Sequence, residues 1–368
     1  MTRVIGKEYH DFHKLGVRVR IVTLKKSIPV FFGDLYSNVN VEEIQGSPDQ
    51  FTNIDPSSQN LTRISIGTVL STIKLMAKIH ARLIRLNPDA IVYHEIAPVI
   101  LSLPYLFLKG TKFSIYLHDN SFSPIIPGKN IITNFKRATI RFFIKIAIRK
   151  SQTTFCVSPT LSNSIINNTN SRNVEFLPLG VDTVDCVLPE LRKRFILTYS
   201  FWDRWRKPET YLDLLEHVPD QITLIVAGRW HDASFQDEFK RSLKSRCITN
   251  RVKLIEEMSE SYKNELLTNA IAFVRFGFEE KGTPGGILEA FGSGCPVIVN
   301  RELGGASIIQ NEENGFVVDT IAEAGKIIRR LIADRDLFYS ISENAYATAR
   351  QLSWRVHTNK ILKGLNIL

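Results

Sequence analysis

The residues best suited to chemistry lie between positions 278 and 300, where a glycine- and proline-rich stretch follows an apolar run. The sequence predicts a strand ending at Phe276, a loop, and a helix that begins near Gly285 or Gly286. The first N–H groups of such a helix and the positive end of its dipole favour phosphate oxygens, and glycines let an anion approach closely. Glu289, about one turn inside the helix, is placed to accept hydrogen bonds from a ribose diol. The alternative is an ordinary strand–turn–helix connection with capping glycines.

Positive charge is concentrated in one part of the first half of the chain. The 368 residues carry a formal net charge of +10, and no acidic residue occurs between Asn120 and Asn173. Such a field attracts an anionic partner such as lipid head groups, nucleic acid or a phosphate-bearing substrate. A helix expected from Phe135 to Lys150 mixes aromatic, aliphatic and basic residues, which suits an interfacial helix on anionic lipid. The alternative is a helix with one face in the core and a solvated basic face. Nucleic acid is not expected, because the organised motifs of nucleic-acid modules are absent.

The elements that must position these residues alternate between short β-branched or aromatic runs and amphipathic helical stretches. This alternation is typical of parallel sheets with helical crossovers. In the first half we expect helices near Glu8–Leu15, Ile66–Leu86 and Phe135–Lys150. The strands of this half are expected near Val19–Leu24, Ala90–Tyr93, Phe113–Leu117, Thr154–Val157 and Val174–Leu177.

A second alternating series follows a linker of mixed charge at 182–194. Its strands are expected near Phe195–Tyr199, Thr223–Ala227, Val252–Ile255, Ala272–Arg275, Pro296–Val299 and Gly315–Val318. Its helices are expected near Glu209–Val218, Ser234–Lys244, Glu260–Asn269, Gly286–Ser293 and Ala322–Ala333, with a final helical region from about Asp336 to Leu365. The two halves are therefore both doubly wound, and ligands of such sheets bind at the carboxyl ends of the strands. We expect the site in a cleft between the halves.

The ordered landmarks of the chain resemble the retaining glycosyltransferases of family 4, which have the GT-B fold. In that family an acidic residue and a Gly/Pro-rich stretch precede a second glutamate and the pattern Ala-x-x-x-Gly-x-Pro-Val. Glu289-Ala-Phe-Gly-Ser-Gly-Cys-Pro-Val297 matches the second part closely. Further matches follow in the family's order: Asn87-Pro88-Asp89 with His94, Tyr116-Leu117-His118-Asp119, Val157-Ser158, Leu177-Pro178-Leu179-Gly180-Val181-Asp182, Gly304-Gly305-Ala306, Asn314-Gly315-Phe316-Val317 and Leu352-Ser353-Trp354.

The resemblance implies an α/β protein of GT-B architecture, with two Rossmann-like domains whose parallel sheets face a cleft. Residues 1–185 would bind the acceptor, residues 195–350 the nucleotide sugar, and residues 351–368 would form a terminal helix that crosses back to the first domain. The implied activity is a hexosyltransferase that moves a sugar from a UDP- or GDP-sugar to a glycan or lipid-linked acceptor. Retention of the anomeric configuration and the absence of a metal or other cofactor are implied as well.

On the donor side, the resemblance assigns the diphosphate to two cations and to the start of a helix. Lys207 fits the family's lysine, whereas the family's arginine is displaced and Arg204 or Arg206 would replace it. Cations are needed there because charge develops on the diphosphate as the sugar bond breaks. The alternative for this segment is a solvated basic loop with tryptophans for packing. The donor-binding residues expected from the resemblance are Lys207, Arg204, Arg206, Gly285, Gly286, Ile287 and Glu289.

The family's first glutamate has no exact counterpart. Counting back from Glu289, it falls on Lys281, and Glu280 lies one residue earlier. A loop insertion of one residue would restore Glu280 to the role, and we expect Glu280 to be catalytic. Without that insertion, Lys281 would place a positive charge where the family has a carboxylate.

Two histidines follow strands in the first half. The resemblance places His118 near the transferred sugar, and we expect it to be catalytic without acting as a base, since retention is commonly explained by front-face attack. Acceptor-side candidates are His94, Asp119 and Lys281. A strand-end histidine is also common as a structural residue. The family's first strand is expected to be absent, or reduced to Arg3-Val4-Ile5.

Several other classes of protein are disfavoured. The four cysteines are scattered without a CxxC pair, so a zinc cage or disulfide framework is not expected. Asp334-Arg335-Asp336 lies between two late helical stretches, where a diphosphate-bound metal is not expected. The chain shows neither an apolar run of about 20 residues nor the apolar core of a signal peptide. We therefore expect a cytoplasmic protein, peripheral to the inner face of the membrane.

Two rival functions remain open at this stage. One is a sugar-nucleotide epimerase on the same architecture, which would act without an acceptor. The other is a GT-B pseudoenzyme that serves as a binding subunit. Lys281 and the short amino-terminal part are the features that favour the second rival.

Overall fold

The computed structural model describes residues 2–23, 41–44, 66–118, 131–184, 195–278, 280 and 282–367. The chain divides into two compact units. The first unit consists of Met1–Pro178 together with Trp354–Leu368, and the second of Leu179–Ser353.

The first unit is built around a parallel four-stranded sheet. Its helices are α1 (Thr2–Lys14), α2 (Ile66–Leu86), α3 (Ile96–Lys109), α4 (Ile131–Lys150) and α5 (Pro159–Thr169). Its strands are β1 (Ile21–Thr23), β2 (Val41–Glu43), β3 (Ala90–His94), β4 (Lys112–Leu117), β5 (Thr154–Cys156) and β6 (Val174–Phe176). The sheet has the order β3-β4-β5-β6, and β1 pairs with β2 in a separate parallel pair.

The second unit is a parallel six-stranded sheet with helical crossovers. Its strands are β7 (Phe195–Tyr199), β8 (Thr223–Ala227), β9 (Val252–Ile255), β10 (Ala272–Arg275), β11 (Val297–Asn300) and β12 (Phe316–Val318). Its helices are α6 (Thr210–Leu214), α7 (Ala233–Ser245), α8 (Glu260–Asn269), α9 (Gly285–Gly292), α10 (Ile321–Ala333) and α11 (Arg335–Gln351). The strand order is β12-β11-β10-β7-β8-β9, and α12 (Trp354–Gly364) belongs to the first unit.

The strands of the second unit are nearly continuous apolar runs because helices cover both faces of the sheet. Ile196, Val274 and Ile298 are fully buried in one apolar layer, and Leu197 and Phe273 in the other. Local signals set the helix starts: α10 begins with a capping box in which the Thr320 hydroxyl accepts from Glu323 N. The Asp232 carboxylate caps α7 with a single hydrogen bond, accepting from Phe235 N.

The sequence predictions for the second unit are confirmed closely, including the bounds of α8. In the first unit, α4 begins at Ile131 and not at 135, and α1 extends back to Thr2. Arg3-Val4-Ile5 is therefore helical, so the prediction of a reduced strand there is wrong. Helix α1 is stable as a helix because Val4, Glu8 and Phe12 are spaced four residues apart and are all buried.

Helices α3 and α5 and strand β2 were not predicted from the sequence. Helix α3 is apolar over most of its surface and contains Pro104, so it lacks the amphipathic period that reveals a helix. The final helical region is divided into α11 and α12 by Leu352 and Ser353. Among the described helices, none is both long and apolar enough to cross a bilayer.

Candidate active site

Two histidines meet at the carboxyl ends of neighbouring strands in the first unit. His94 ends β3 and His118 follows β4, and the parallel register of the two strands brings them to the same edge. His94 Nδ1 lies 2.9 Å from His118 Nε2. The rings are stacked, with centroids 5.2 Å apart and planes 15° from parallel. The structure thus joins two of the expected site residues through one hydrogen bond.

A buried carboxylate extends this pair. Glu8 Oε2 lies 2.9 Å from His94 Nε2, and Glu8 Oε1 lies 2.8 Å from His357 Nε2 on α12. The Glu8 side chain is 4% exposed. His357 Nδ1 lies 2.9 Å from the carbonyl oxygen of Pro178. A continuous series of hydrogen bonds therefore runs from Pro178 through His357, Glu8 and His94 to His118.

Burial and hydrogen bonding set the protonation states of Glu8 and His118. Burial by itself would raise the pKa of Glu8, but the two histidines hydrogen-bonded to its carboxylate, His94 and His357, outweigh burial and lower that pKa below its usual range. Burial lowers the pKa of His118 to about 3. Glu8 is thus a carboxylate and His118 a neutral imidazole at pH 7.

Glu95, between β3 and α3, has a strained backbone beside His118. Its φ of 77° and ψ of 165° lie in a region that side-chain-bearing residues rarely adopt. The conformation is held on both sides: Glu95 N donates to Tyr116 O at 3.0 Å, and Glu95 Oε1 accepts from His118 N at 2.9 Å. Backbone strain of this kind is concentrated at functional sites in proteins, so it points to this edge of the sheet.

Sequence reasoning missed Glu8, Glu95 and His357. Glu8 and His357 are 349 positions apart in the chain, and each looks like an ordinary polar residue of a helix. Asp119, which was also expected at this edge, lies outside the described residues.

In the second unit, the glycine-rich segment joins β10 to α9 as the sequence predicts. Pro284 precedes α9 and provides no side-chain cap. A Cβ atom on Gly285 would meet no atom within 4 Å, so a ligand can approach the backbone there. A Cβ on Gly286 would lie 2.9 Å from Phe273 and 3.1 Å from Tyr199, so this glycine also serves packing. The Ile287 side chain is fully buried, which leaves its backbone as the part a ligand could contact.

Glu289 faces two partners on neighbouring elements. The Tyr199 hydroxyl, at the end of β7, donates a hydrogen bond to Glu289 Oε2. Lys263 Nζ, on α8, lies 3.2 Å from Glu289 Oε1 and 3.0 Å from Glu260 Oε1. Each carboxylate oxygen has a second lone pair, so Glu289 can still accept hydroxyl donors while these contacts hold it in place. Glu289 was predicted from the sequence, whereas its partners Tyr199 and Lys263 were not.

Glu280 is held by a buried arginine. Arg275, the last residue of β10, donates from Nη2 to Glu280 Oε2 at 2.7 Å, and the Arg275 side chain is 2% exposed. Burial lowers the pKa of Arg275, but Tyr211 and Glu280 outweigh it and raise that pKa overall. Gly304 N donates to Glu280 O at 2.7 Å, which fixes the backbone as well. Arg275 was missed because a charged residue ending a buried strand gives no motif. Lys281 lies outside the described residues.

The three expected cations differ in their surroundings. Arg204 forms a two-pronged pair with Glu238 at 2.7 and 2.8 Å on the surface. Arg206 donates to Asp203 Oδ2 at 2.5 Å and stacks 4.0 Å from the Trp205 ring. Lys207 adopts a left-handed conformation with φ 46°, and its Nζ lies 4.4 Å from the Phe278 ring centroid. A contact with an aromatic face leaves the ammonium able to bind an anion, whereas the arginines are already paired with carboxylates.

In the described part of the chain, no group of three or more His, Cys, Asp or Glu side chains is arranged to hold a metal ion. Asp334 caps α11, accepting from Leu337 N.

One protein-family model matches part of the chain. Residues 188–348 match the model of the family described as glycosyl transferases group 1. The matched span contains Lys207, Glu280 and Glu289. None of the curated protein sequences matches the chain.

Solved structures resemble the whole chain at low sequence identity. HepE from Anabaena in complex with UDP and glucose has a TM-score of 0.73 at 17% identity, covering 100% of this chain and 96% of that one. A glycosyltransferase from Rickettsia africae ESF-5 has a TM-score of 0.73 at 15% identity, covering 99% and 94%. The lipopolysaccharide outer core galactosyltransferase WaaB, in its apo form, has a TM-score of 0.71 at 13% identity, covering 99% and 95%. These likenesses show the GT-B fold, with parallel sheets in two α/β domains.

Proposed function

We propose that this chain, a glycosyltransferase with the GT-B fold, moves a hexose from a nucleotide sugar to a glycan or lipid-linked acceptor. One observation carries the proposal. Within the span that matches the glycosyl transferases group 1 model, Glu289 lies in the first turns of α9, directly after a glycine-rich loop at the carboxyl end of β10. Ligands of parallel sheets bind at that edge.

The donor site proposed for the second unit consists of a ribose acceptor and a diphosphate cradle. Glu289, held by Tyr199 and Lys263, accepts the ribose hydroxyls. The backbone at Gly285 and Gly286 and the ammonium of Lys207 bind the diphosphate. A UDP-sugar is the first donor to test, because HepE was solved with UDP and glucose and also with UDP-glucose. A GDP-sugar is the second.

The proposed reaction retains the anomeric configuration and uses no metal. The bond between the sugar C1 and the donor phosphate oxygen breaks, and its electron pair stays on the diphosphate. The acceptor oxygen forms a bond to the same face of C1, and its proton passes to the departing phosphate oxygen. Lys207 and the amino-terminal end of α9 stabilise the charge that develops on that oxygen. His118 is proposed to contact the transferred sugar and Glu280 to take the role of the family's first glutamate.

We further propose a peripheral contact with anionic membrane on the cytoplasmic side, where a lipid-linked acceptor would be reached. Support comes from α3 and α4, which pack against each other. Phe142 and Phe143 on α4 are 60% and 40% exposed, and Phe107 and Leu108 on α3 are 57% and 84% exposed. Exposed aromatic and aliphatic side chains beside basic residues, in a segment without acidic ones, match the chemistry of an anionic lipid surface.

A panel of UDP-, GDP- and ADP-sugars tests the proposal. Binding and hydrolysis are measured for the parent chain, Glu289→Ala and Lys207→Ala. One preferred donor, bound more weakly by both variants, supports the transferase. Release of an altered sugar without acceptor would support the epimerase instead. Donor binding that Glu289→Ala abolishes, with no turnover in the parent, would support a binding subunit.

A further inference from the structure

We propose that Glu8 and His94 are positioning residues that fix His118 as the tautomer with a proton on Nε2, so that Nδ1 accepts a hydrogen bond from a substrate hydroxyl. The role of His118 toward a substrate rests on the proposed function. The tautomer itself follows from the geometry of the first unit, and it can be measured without any substrate.

His357 lies at the end of the hydrogen-bonded series farthest from His118. His357 Nδ1 lies 2.9 Å from Pro178 O, and a carbonyl oxygen can only accept, so this nitrogen carries a proton. His357 Nε2 lies 2.8 Å from Glu8 Oε1, which also accepts when the carboxyl is ionised. Both ring nitrogens of His357 therefore donate. His357 is an imidazolium, and its charge balances that of Glu8.

The neighbouring histidine must then be neutral. Glu8 Oε2 accepts from His94 Nε2, which places a proton on that nitrogen. A second proton on His94 Nδ1 would leave two imidazolium rings against a single carboxylate. His94 and Glu8 are 11% and 4% exposed, so an uncompensated charge there would carry a large desolvation cost. His94 Nδ1 is consequently unprotonated and has a lone pair that can accept a hydrogen bond.

This lone pair decides the state of His118. His94 Nδ1 and His118 Nε2 are 2.9 Å apart, and an unprotonated nitrogen needs a donor opposite it, so His118 carries its proton on Nε2. Burial disfavours a second proton on His118. Its Nδ1 is therefore unprotonated, and within the described residues it has no hydrogen-bond partner. A hydroxyl group of a sugar is the donor that this nitrogen suits, whereas a carbonyl or phosphate oxygen would be repelled.

Helices α1 and α12 matter to the site because each supplies one of these groups. Glu8 is on α1 and His357 on α12, and the contact between these helices delivers the carboxylate to the end of β3. Helix α1 thus supplies the carboxylate that positions the two strand-end histidines. Glu8 touches no reacting atom in this scheme and acts through His94.

Nitrogen-15 NMR of the imidazole rings tests the tautomer directly, with assignment by His118→Ala. In the parent we expect His118 to show a protonated Nε2 and an unprotonated Nδ1 at pH 7. Glu8→Gln should keep that pattern, because the amide oxygen can accept from His94 while the amide group donates to an uncharged His357. Glu8→Leu should give a mixture of tautomers. A protonated Nδ1 in the parent, or an unchanged tautomer in Glu8→Leu, would overturn the proposal.

His94→Phe is the second variant, in case Glu8→Leu does not fold. It keeps a ring beside Tyr116, whose centroid lies 5.8 Å from that of His94, but removes the acceptor for His118 Nε2. It should also give a mixture of His118 tautomers.

Kinetics with the preferred donor separate positioning from mere support of the fold. Glu8→Leu should lower kcat on the order of tenfold to a hundredfold with little change in the KM for donor. In a His118→Ala background it should lower kcat no further. An equal loss in both backgrounds would mean that Glu8 only supports the fold, and would overturn the proposal. Thr358→Val is the matched control, since it removes the Thr358 bond to Asp11 in the same helix contact without touching a histidine.

The two proposals fail in distinguishable ways. If no nucleotide sugar is bound or cleaved, the proposed function fails, while the tautomer pattern still decides whether Glu8 and His94 position His118. If the parent is active and Glu8→Leu has parental kcat and tautomer, the positioning role fails and the function stands.

Discussion

Lys263 Nζ lies 3.2 Å from Glu289 Oε1, and the two side chains are 10% and 13% exposed. The proposed ribose acceptor is thus also half of a nearly buried ion pair. Removal of one partner of such a pair leaves the other charge with less compensation, although Glu260 remains 3.0 Å from Lys263.

We therefore expect Glu289→Ala to lower the free energy of unfolding by about 2 kcal/mol, as well as to weaken donor binding. Urea denaturation of the variant measures the stability. Glu257→Ala is the control, because Glu257 pairs with Arg229 on the surface and should change stability little. A Glu289→Ala variant as stable as the parent would contradict the ion pair.

Lys207 and Arg204 should respond differently to substitution, although both were expected at the diphosphate. The Lys207 ammonium faces the Phe278 ring, whereas both terminal nitrogens of Arg204 are bound to Glu238. Lys207→Ala should weaken UDP binding roughly tenfold or more, because it removes a charge-assisted hydrogen bond to the diphosphate. Arg204→Ala should change UDP binding by less than about threefold. Titration calorimetry with UDP compares the two. The opposite ranking would show that Arg204 leaves Glu238 to bind the donor.

Glu280 and Arg275 should be coupled in stability. Because Arg275 is 2% exposed, Glu280→Ala should destabilise the chain by about 3 kcal/mol, while the double variant Glu280→Ala with Arg275→Met should recover part of that loss. Thermal and urea unfolding give the two values. The single variant Arg275→Met completes the comparison. If the losses of unfolding free energy of the two single variants add up to that of the double variant, the two side chains act independently, which would contradict the coupling.

Acid should destabilise the first unit partly through His118. Burial lowers the pKa of His118 from 6.5 to about 3, so between these values the unfolded chain binds more protons than the folded one. The stability that His118 contributes is therefore complete above pH 6.5 and is lost as pH falls toward about 3. His118→Phe should make unfolding free energy fall less steeply between pH 6.5 and 4. Parallel pH profiles for parent and variant would contradict the low pKa.

The exposed phenylalanines of α4 should contribute to lipid binding. Phe142→Ser combined with Phe143→Ser should reduce binding to vesicles that contain anionic phosphatidylglycerol, because two aromatic side chains no longer enter the interface. Sedimentation with the vesicles measures the bound fraction. Ile332→Ser, at a 43% exposed position in the second unit, is the control and should bind as the parent does. Equal binding of all three chains would exclude this face as the docking surface.

The sequence predicted the second unit well because its strands are buried apolar runs between helices with clear caps, such as Thr320 with Glu323. It also indicated Glu289, whose motif is local in sequence. The partners of Glu289 could not be predicted, because Tyr199 on β7 and Lys263 on α8 are distant from it in sequence. Short-range patterns fix where a strand or helix forms, while tertiary packing decides which side chains meet.

The first unit shows the same limit more strongly. His94 and His118 were recognisable as strand-end residues, and the parallel register made their meeting predictable. Glu8 and His357 reach them only through the packing of the first helix on the last, across nearly the full length of the chain. Helix α3 was missed because its apolar surface has no amphipathic period.

The central claim is that the second unit binds a nucleotide sugar through Glu289 and the start of α9. A crystal structure of the chain with UDP tests this most directly. The account predicts ribose hydroxyls on the Glu289 carboxylate and diphosphate oxygens near the backbone of Gly285 and the ammonium of Lys207. UDP bound at another place in the second unit, with no ribose hydroxyl on the Glu289 carboxylate, would contradict it.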